Sequence, residues 1–566
     1  MGWIERSRVR AWLTKAGSQP WVGELPAWCF ALWATAIVVR YHWPYLLQPV
    51  EHSVDEGYAL AIGQRMLHGH MLPYVDGVAH TGPVFLYIGA LIAAFDEFSW
   101  LPIRIAAAAM FALVSALSFV CLRLEKRPLA GAIAAAGMPF YVTLRMSTID
   151  ALAYNAELPA VVFCIAALTA AVRACGDEER RPSPGWLFSA GVFVTLTALS
   201  KQIAALVALP IAAYALVGVF ARQDLPFRER SRLSLTFIAG GALPAALIFG
   251  QLAVFGALHD AYYYLVTYNQ YPYMDIFRET PLRKFYEDWF THRPMELSVT
   301  LLALLWGAAQ VIVARDGERS WWRAIARSRL DWTVAAIAAG GLIGARAARR
   351  EFDHYYVMVV PGFSLLAGLL AERALARLRR PLLNAALCAL LVTPIVYIGE
   401  LTLKERHAHL TAWWPEWSAL VDLSLAVKES KACAYIHRHV KPDQTLFVWG
   451  FRPQLYISCA RRPASRFVYT TFLAGGVPGQ GPYNKEVDDA YATPGARELA
   501  VEELEASKPP VLVESARTVG GRSFRTAGPL WDYIDKHYRQ VSTPGNEAIW
   551  LRWKKGDRHA PADFVE

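Results

Sequence analysis

The chain has 566 residues, 55% of them hydrophobic and only 19% charged, with a mean hydropathy of +0.25. A soluble protein carries closer to about 25% charge, and the apolar residues here fall into blocks of about 17 to 25, the span of a bilayer, so an ordinary soluble enzyme is excluded. The net charge of +9 comes from Lys and Arg scattered between apolar blocks, which speaks for a polytopic membrane protein and against a nucleic-acid partner.

Met1 to Gln19 is basic, but the apolar run Ala27–Leu47 that follows is too long for a cleavable signal and lacks a small-residue cleavage site, so it reads as an uncleaved first span. A loop over residues 48–100 comes next. It opens with the adjacent acids Asp55 and Glu56 and continues with Tyr58, Ala61, Ile62 and Met66 at helical spacing. It then turns at Gly69 to Pro73 and passes Asp76, His80 and Pro83. Its last piece, Gly82–Phe95, is apolar but falls short of the roughly 20 residues a crossing helix needs. The loop is therefore expected to fold onto the membrane surface.

Further spans are expected near Leu101–Leu122, Leu129–Tyr141 with its extension, and Leu158–Val172, with two more in Trp186–Phe220 broken near Lys201. Others lie near Leu233–Phe255, Leu297–Val313, Trp332–Ala345, Tyr355–Ala371 and Leu382–Ile398, which makes a mainly α bundle of about 11 spans. Alternate connectors are rich in arginine, as in Arg123/Lys126/Arg127, Arg222/Arg228/Arg230/Arg232 and Arg373/Arg377/Arg379/Arg380. By the positive-inside rule these are cytoplasmic. The alternation holds only if Gly82–Phe95 does not cross, and it places the Asp55 loop, Met146–Asn155, Ala257–Pro294, Arg346–His354 and the tail outside.

Residues 1–404 thus form a transmembrane domain and 405–566 a tail. Helices are expected at Ala432–Val440, Glu498–Ser507 and Trp531–Tyr538, with strands at Thr445–Trp449, Arg466–Thr470, Val511–Glu514 and Ala548–Trp553. That alternation predicts a small α/β domain. Of the seven cysteines, Cys433 and Cys459 lie in this tail, where an oxidising compartment would join them. No CxxC or Cys/His spacing suggests structural zinc.

Several residues carry both an ordinary and a chemical reading. Asp55 and Glu56 are either a solvated helix start or an active pair; adjacent helical residues point about 100° apart, so one can face a reaction while the other faces an orienting partner. Glu157, preceded by Asp150, stands at the outer mouth of a span as an N-terminal acid or a site residue. Lys201 is either a snorkelling interfacial lysine or an outward contact to an anion. Arg346, Arg349 and Arg350 cluster on the side where the positive-inside rule disfavours them, as a headgroup anchor or a phosphate clamp. Tyr262, Tyr263, Tyr264, Tyr268, Tyr271 and Tyr273 form an interfacial belt or a sugar-stacking surface.

Together these short motifs resemble GT-C-type glycosyltransferases, of the branch containing lipid A aminoarabinose transferase and protein O-mannosyltransferases. The resemblance rests on Asp55-Glu56 after the first span and on the run from Gly63 to Leu91. It extends to Asn155-Ala156-Glu157, Lys201, His354-Tyr355-Tyr356 with Pro361, and the late stretch Val448 to Tyr469. Where the family often has Lys-Pro-Pro, this chain has Thr81-Gly82-Pro83. The resemblance implies an inverting transferase that moves a sugar from a polyprenyl-phosphate carrier to an acceptor lipid, glycan or protein, at the outer face of a bacterial cytoplasmic membrane and with no cofactor or metal. It implies Asp55 as general base, Glu56 and Glu157 as acids that orient the acceptor or the sugar, Lys201, Arg349, Arg350 and His354 against the donor lipid phosphate, and Tyr355 as a further substrate contact. A lipid-linked sugar flippase would need charges along its pathway, whereas nearly all charges here sit at span ends. An O-antigen-type polymerase or ligase would share outer arginines but not the early acidic pair.

Overall fold

The computed structural model describes residues 20–46, 53–145, 152–175, 181–273, 329–347, 353–378, 397, 431–476, 483–515, 521–542 and 547–553. Helices are α1 (Pro20–Leu46), α2 (Val54–His68), α3 (Pro83–Ala93), α4 (Leu101–Leu124), α5 (Pro128–Ala135), α6 (Gly137–Arg145) and α7 (Glu157–Cys175). They continue with α8 (Pro184–Ser200), α9 (Ala205–Phe220), α10 (Phe227–Val254), α11 (Leu258–Tyr262), α12 (Arg329–Ala347) and α13 (Val360–Leu378). Many start on proline: Pro83, Pro102, Pro128 and Pro184 lie at the first or second helical position, where no intrahelical N–H is lost.

By length and composition, five described helices are able to cross a membrane: Leu101–Leu124, Glu157–Cys175, Gln202–Phe220, Phe227–Val254 and His354–Arg373. The chain is a multi-pass membrane protein. Helix α3 has 11 residues, about 16 Å at 1.5 Å per residue against a hydrocarbon core of about 30 Å. The expected span Leu129–Tyr141 is instead two helices, α5 and α6, parted at Ala136, whose N–H bonds back to the Ile133 carbonyl and tightens the turn. The expected spans Leu297–Val313 and Leu382–Ile398 lie outside the described residues.

Residues 431–553 add helices α14 (Lys431–His439), α15 (Gln454–Ser458), α16 (Thr471–Ala474), α17 (Lys485–Tyr491), α18 (Ala496–Ser507) and α19 (Pro529–His537) around one sheet. Its strands are β1 (Leu446–Trp449), β2 (Val511–Ser515), β3 (Tyr538–Ser542) and β4 (Glu547–Arg552), in the order β1-β2-β4-β3. Strands β1 and β2 run parallel; β2 with β4 and β4 with β3 run antiparallel. Cys433 and Cys459 are joined, tying α14 to the residue after α15.

The segment Arg466–Thr470 is not the expected strand. Its backbone finds other partners: the Arg466 N–H donates to Glu503 (2.9 Å) and the Arg466 carbonyl accepts from the Val78 N–H (3.1 Å). The same carboxylate of Glu503 takes Arg466 Nε at 2.7 Å, Ser465 Oγ at 2.7 Å and Arg65 Nη2 at 3.4 Å. Arg462 grips Glu97 through two nitrogens, at 2.8 and 3.2 Å. The tail is thus clasped to the loop between α2 and α4. Helix α15 lies so close on α2 that a Cβ at Gly57 would come within 2.7 Å of the Gln454 nitrogen.

Candidate active site

Both acids of the first pair stand in the first turn of α2, where the helix dipole favours them. Their side chains part as the helical angle requires. Asp55 keeps 35% of its side chain accessible, with Oδ2 facing His354 Nε2 at 3.7 Å. Glu56 is wholly enclosed: it accepts the Tyr154 N–H at 3.2 Å and faces Arg104 Nε at 3.7 Å. The Arg104 guanidinium lies over the rings of Tyr45 (5.0 Å) and Trp100 (5.6 Å). Burial pushes the Glu56 carboxyl up from its ordinary range; Arg104 and hydrogen bonds from Tyr45 and Tyr154 oppose the shift without cancelling it. So long an ion pair does not repay the removal of the charge from water.

The second acid, Glu157, is the first residue of α7. Asn155 shapes that start, its Oδ1 taking the Leu158 N–H at 3.1 Å and its Nδ2 donating to the Ala153 carbonyl at 3.1 Å. Glu157 is buried and pairs with Lys201 Nζ at 2.5 Å. Lys201 occupies the break between α8 and the short 3₁₀ turn Gln202–Ala204, with extended backbone at φ −150° and ψ 134°. The break is held in place by Gln202, whose amide donates to the His80 carbonyl at 3.0 Å, as does that of Asn269 at 2.9 Å. The start of α3 crosses directly over it: a Cβ at Gly82 would sit 2.1 Å from the Leu199 carbonyl oxygen.

Lys201 Nζ also lies 4.4 Å from the centre of the Tyr355 ring, and Tyr355 meets His354 edge to face at 4.8 Å. Asp55, His354, Tyr355, Lys201 and Glu157 therefore form one continuous group, drawn from α2, the 3₁₀ segment Asp353–Val359, the α8–α9 break and the start of α7. Arg346, at the end of α12, stacks over Tyr356 at 5.7 Å on the flank of this group. Arg349 and Arg350 lie outside the described residues.

The other polar residues of the first loop serve its shape. Asp76 Oδ2 accepts the N–H groups of His70 and Leu72, both at 2.8 Å, and closes the turn; His68 pairs with Glu97 at 3.0 Å. Of the loop tyrosines, Tyr264 and Tyr268 are buried against His80 and Phe472, while Tyr262 and Tyr271 are exposed. Among the described residues no three His, Cys, Asp or Glu side chains converge as a metal site needs. Sequence reasoning missed Arg104 and the Tyr154 N–H, the partners of Glu56. Arg104 had a signal: it is the sole charge in the run Leu101–Leu122.

Chemically, the group offers one accessible carboxylate beside an imidazole, next to a cation already balanced by a buried acid. A family model described as dolichyl-phosphate-mannose-protein mannosyltransferase matches residues 80–240, which include Glu157 and Lys201 but not Asp55 or His354. It bears out the resemblance read from the short motifs. No curated protein matches the chain in sequence. Among solved structures, ArnT from Cupriavidus metallidurans bound to undecaprenyl phosphate is 12% identical, covering 91% of this chain and 97% of its own, with a TM-score of 0.49. The apo form of the same protein is 13% identical over 93% and 98%, also at 0.49. The Archaeoglobus fulgidus oligosaccharyltransferase in complex with Zn and sulfate is 15% identical over 92% of this chain and 73% of that one, at 0.46.

Proposed function

We propose that the chain is an inverting glycosyltransferase that moves a sugar from a polyprenyl-phosphate carrier to an acceptor hydroxyl at the outer face of a cytoplasmic membrane. One observation carries the reading: of the three acids gathered here, Glu56 and Glu157 are sealed in, at 0% and 1% accessible, while Asp55 keeps 35% of its side chain open. An acid that is accessible yet walled by protein suits a base for a substrate hydroxyl. The family model over residues 80–240 is named for a dolichyl-phosphate-mannose donor, which agrees with a lipid-phosphate leaving group.

Asp55 takes the proton of the acceptor hydroxyl as its oxygen bonds to the anomeric carbon. The bond from that carbon to the lipid phosphate breaks, and the phosphate keeps the electron pair. Lys201 and Arg346, with Arg349 and Arg350 from the adjoining segment, are the cations that stabilise the departing phosphate, and His354 lies beside them as a further hydrogen-bonding group. Glu157 fixes Lys201 and Glu56 fixes the start of α2 through Arg104, so both orient without touching the reacting atoms. The proposal keeps a transmembrane domain of residues 1–404 with about 11 spans and an extracytoplasmic α/β domain of residues 405–566. The outer placement is supported by the arginine alternation, by the shortness of α3 and by the joined Cys433 and Cys459, which belong in an oxidising compartment.

The test is a reconstitution in nanodiscs with polyprenyl phosphate carrying a radiolabelled mannose and an envelope extract as acceptor. Label passing to the extract with release of polyprenyl phosphate supports the reading. A donor that stays intact, or one flipped across liposomes without transfer, contradicts it.

A further inference from the structure

The tail brings two aromatic rings to the edge of this site. Tyr58 stands one helical turn after Asp55 on α2, its hydroxyl donating to the Val78 carbonyl at 2.9 Å. Its ring lies 5.3 Å from Tyr469, and Tyr469 meets Phe451 edge to face at 4.6 Å. Phe451 and Tyr469 are only half-buried, although they sit within a closely packed interface. Phe451 follows β1, beyond the carboxyl end of the parallel pair β1–β2, the edge where open α/β sheets place ligands. The two loops are locked together: the Thr470 hydroxyl donates to the Gly450 carbonyl at 3.0 Å and accepts the Gly450 N–H. Helix α15, directly after Phe451, is seated on Gly57. Two rings are thus held rigidly next to the helix turn that carries the accessible carboxylate, by elements that contribute no cation to the donor side.

We infer that Phe451 and Tyr469 form an acceptor platform on which a pyranose ring of the acceptor lies, so that the tail selects the acceptor. This rests on the reading of Asp55 as the base, since the base marks where the acceptor hydroxyl must come. A pyranose is the fitting occupant because it is amphipathic: its C–H face covers an aromatic ring while its hydroxyls reach polar groups such as Asp55. Rigid aromatic side chains serve such contacts at low entropic cost, because their loops and rotamers are set before binding.

The test uses methyl α-mannopyranoside as probe, with saturation-transfer NMR on the full chain in nanodiscs. The parent and Tyr469→Phe, which keeps the ring, should pass saturation to the pyranose protons. The double variant Phe451→Leu/Tyr469→Leu, which keeps apolar volume but removes both rings, should pass about tenfold less, with the thermal midpoint checking that it folds. Where transfer is measured, the acceptor KM should rise by at least about tenfold with kcat far less changed. Equal saturation in parent and double variant overturns the inference, as does none in the parent. Saturation of n-decyl phosphate, and not of the sugar, through the same rings also overturns it by assigning them to the lipid. The binding readout needs no turnover, so a failure of sugar transfer would sink the preceding reading without deciding this one.

Discussion

At one end of the helices, Asp331 near the start of α12 lies between Arg127 at 3.3 Å and Arg373, and Arg127 also reaches Glu372 at 3.5 Å. Beside them Arg329 donates to the Cys175 carbonyl at 2.8 Å and stacks on Tyr214 at 4.6 Å, whose hydroxyl reaches Glu125 at 3.4 Å. At the other end of the same helices, Glu157 is closed by Lys201 and Glu56 by Arg104, whereas Asp55 faces His354 and keeps 35% of its side chain accessible. At the first end Asp331 keeps 4% of its side chain accessible and Glu372 24%, against 35% for Asp55 at the second. Enclosed ion pairs fix helix ends; an accessible carboxylate inside a fixed frame is what chemistry needs.

Breaking each end separately should therefore give opposite signatures. The largest effect belongs to Asp55→Asn, which keeps the shape and removes the base: turnover should fall by about 10³-fold with the thermal midpoint nearly unmoved. Asp331→Asn should do the reverse. Arg127 and Arg373 are 31% and 33% accessible, so loss of the carboxylate should cost about 2–3 kcal/mol of stability, less than for a fully buried pair. Denaturant unfolding in detergent measures that loss, and turnover per folded molecule should stay within about twofold of the parent.

Glu56→Gln sharpens the contrast within the acidic pair itself. The folded protein raises the Glu56 carboxyl above its unfolded value, so the protonated form is favoured on folding. This group's contribution to stability is fully present below the unfolded pKa and is lost as pH rises through the raised folded one. Across that window the stability of the parent should decline with pH, and Glu56→Gln should flatten the decline. Unfolding curves at a series of pH values check it; identical slopes would mean that Arg104 fully compensates the buried charge.

Much of this frame was legible in the chain. Apolar runs marked most of the described helices, the charge pattern and length set α3 apart, and the break at Lys201 showed as one charge inside a long apolar run. Three of the strands, near Thr445, Val511 and Ala548, followed from β-rich runs between turns. What escaped depends on contacts between residues far apart in sequence. Arg466–Thr470 has strand composition, yet Glu503 and Val78 take its backbone groups. Strand β3, Tyr538–Ser542, is polar enough to pass for a loop, and pairing with β4 is what orders it. Within the site, adjacency alone told that Asp55 and Glu56 must diverge, but not which of them is sealed. Arg104 and Tyr154 decide that, and they come from other elements.

The central claim is that one open carboxylate drives a single displacement at the sugar carbon. The most direct measurement is the anomeric configuration of the product, read by NMR after transfer from a polyprenyl-phosphate mannose of defined configuration. A base that deprotonates the acceptor for in-line attack predicts inversion, whereas a carboxylate acting as nucleophile forms a glycosyl-enzyme first and gives retention. Inverted product agrees with Asp55 as base; retained configuration, or mannose trapped on Asp55, contradicts it.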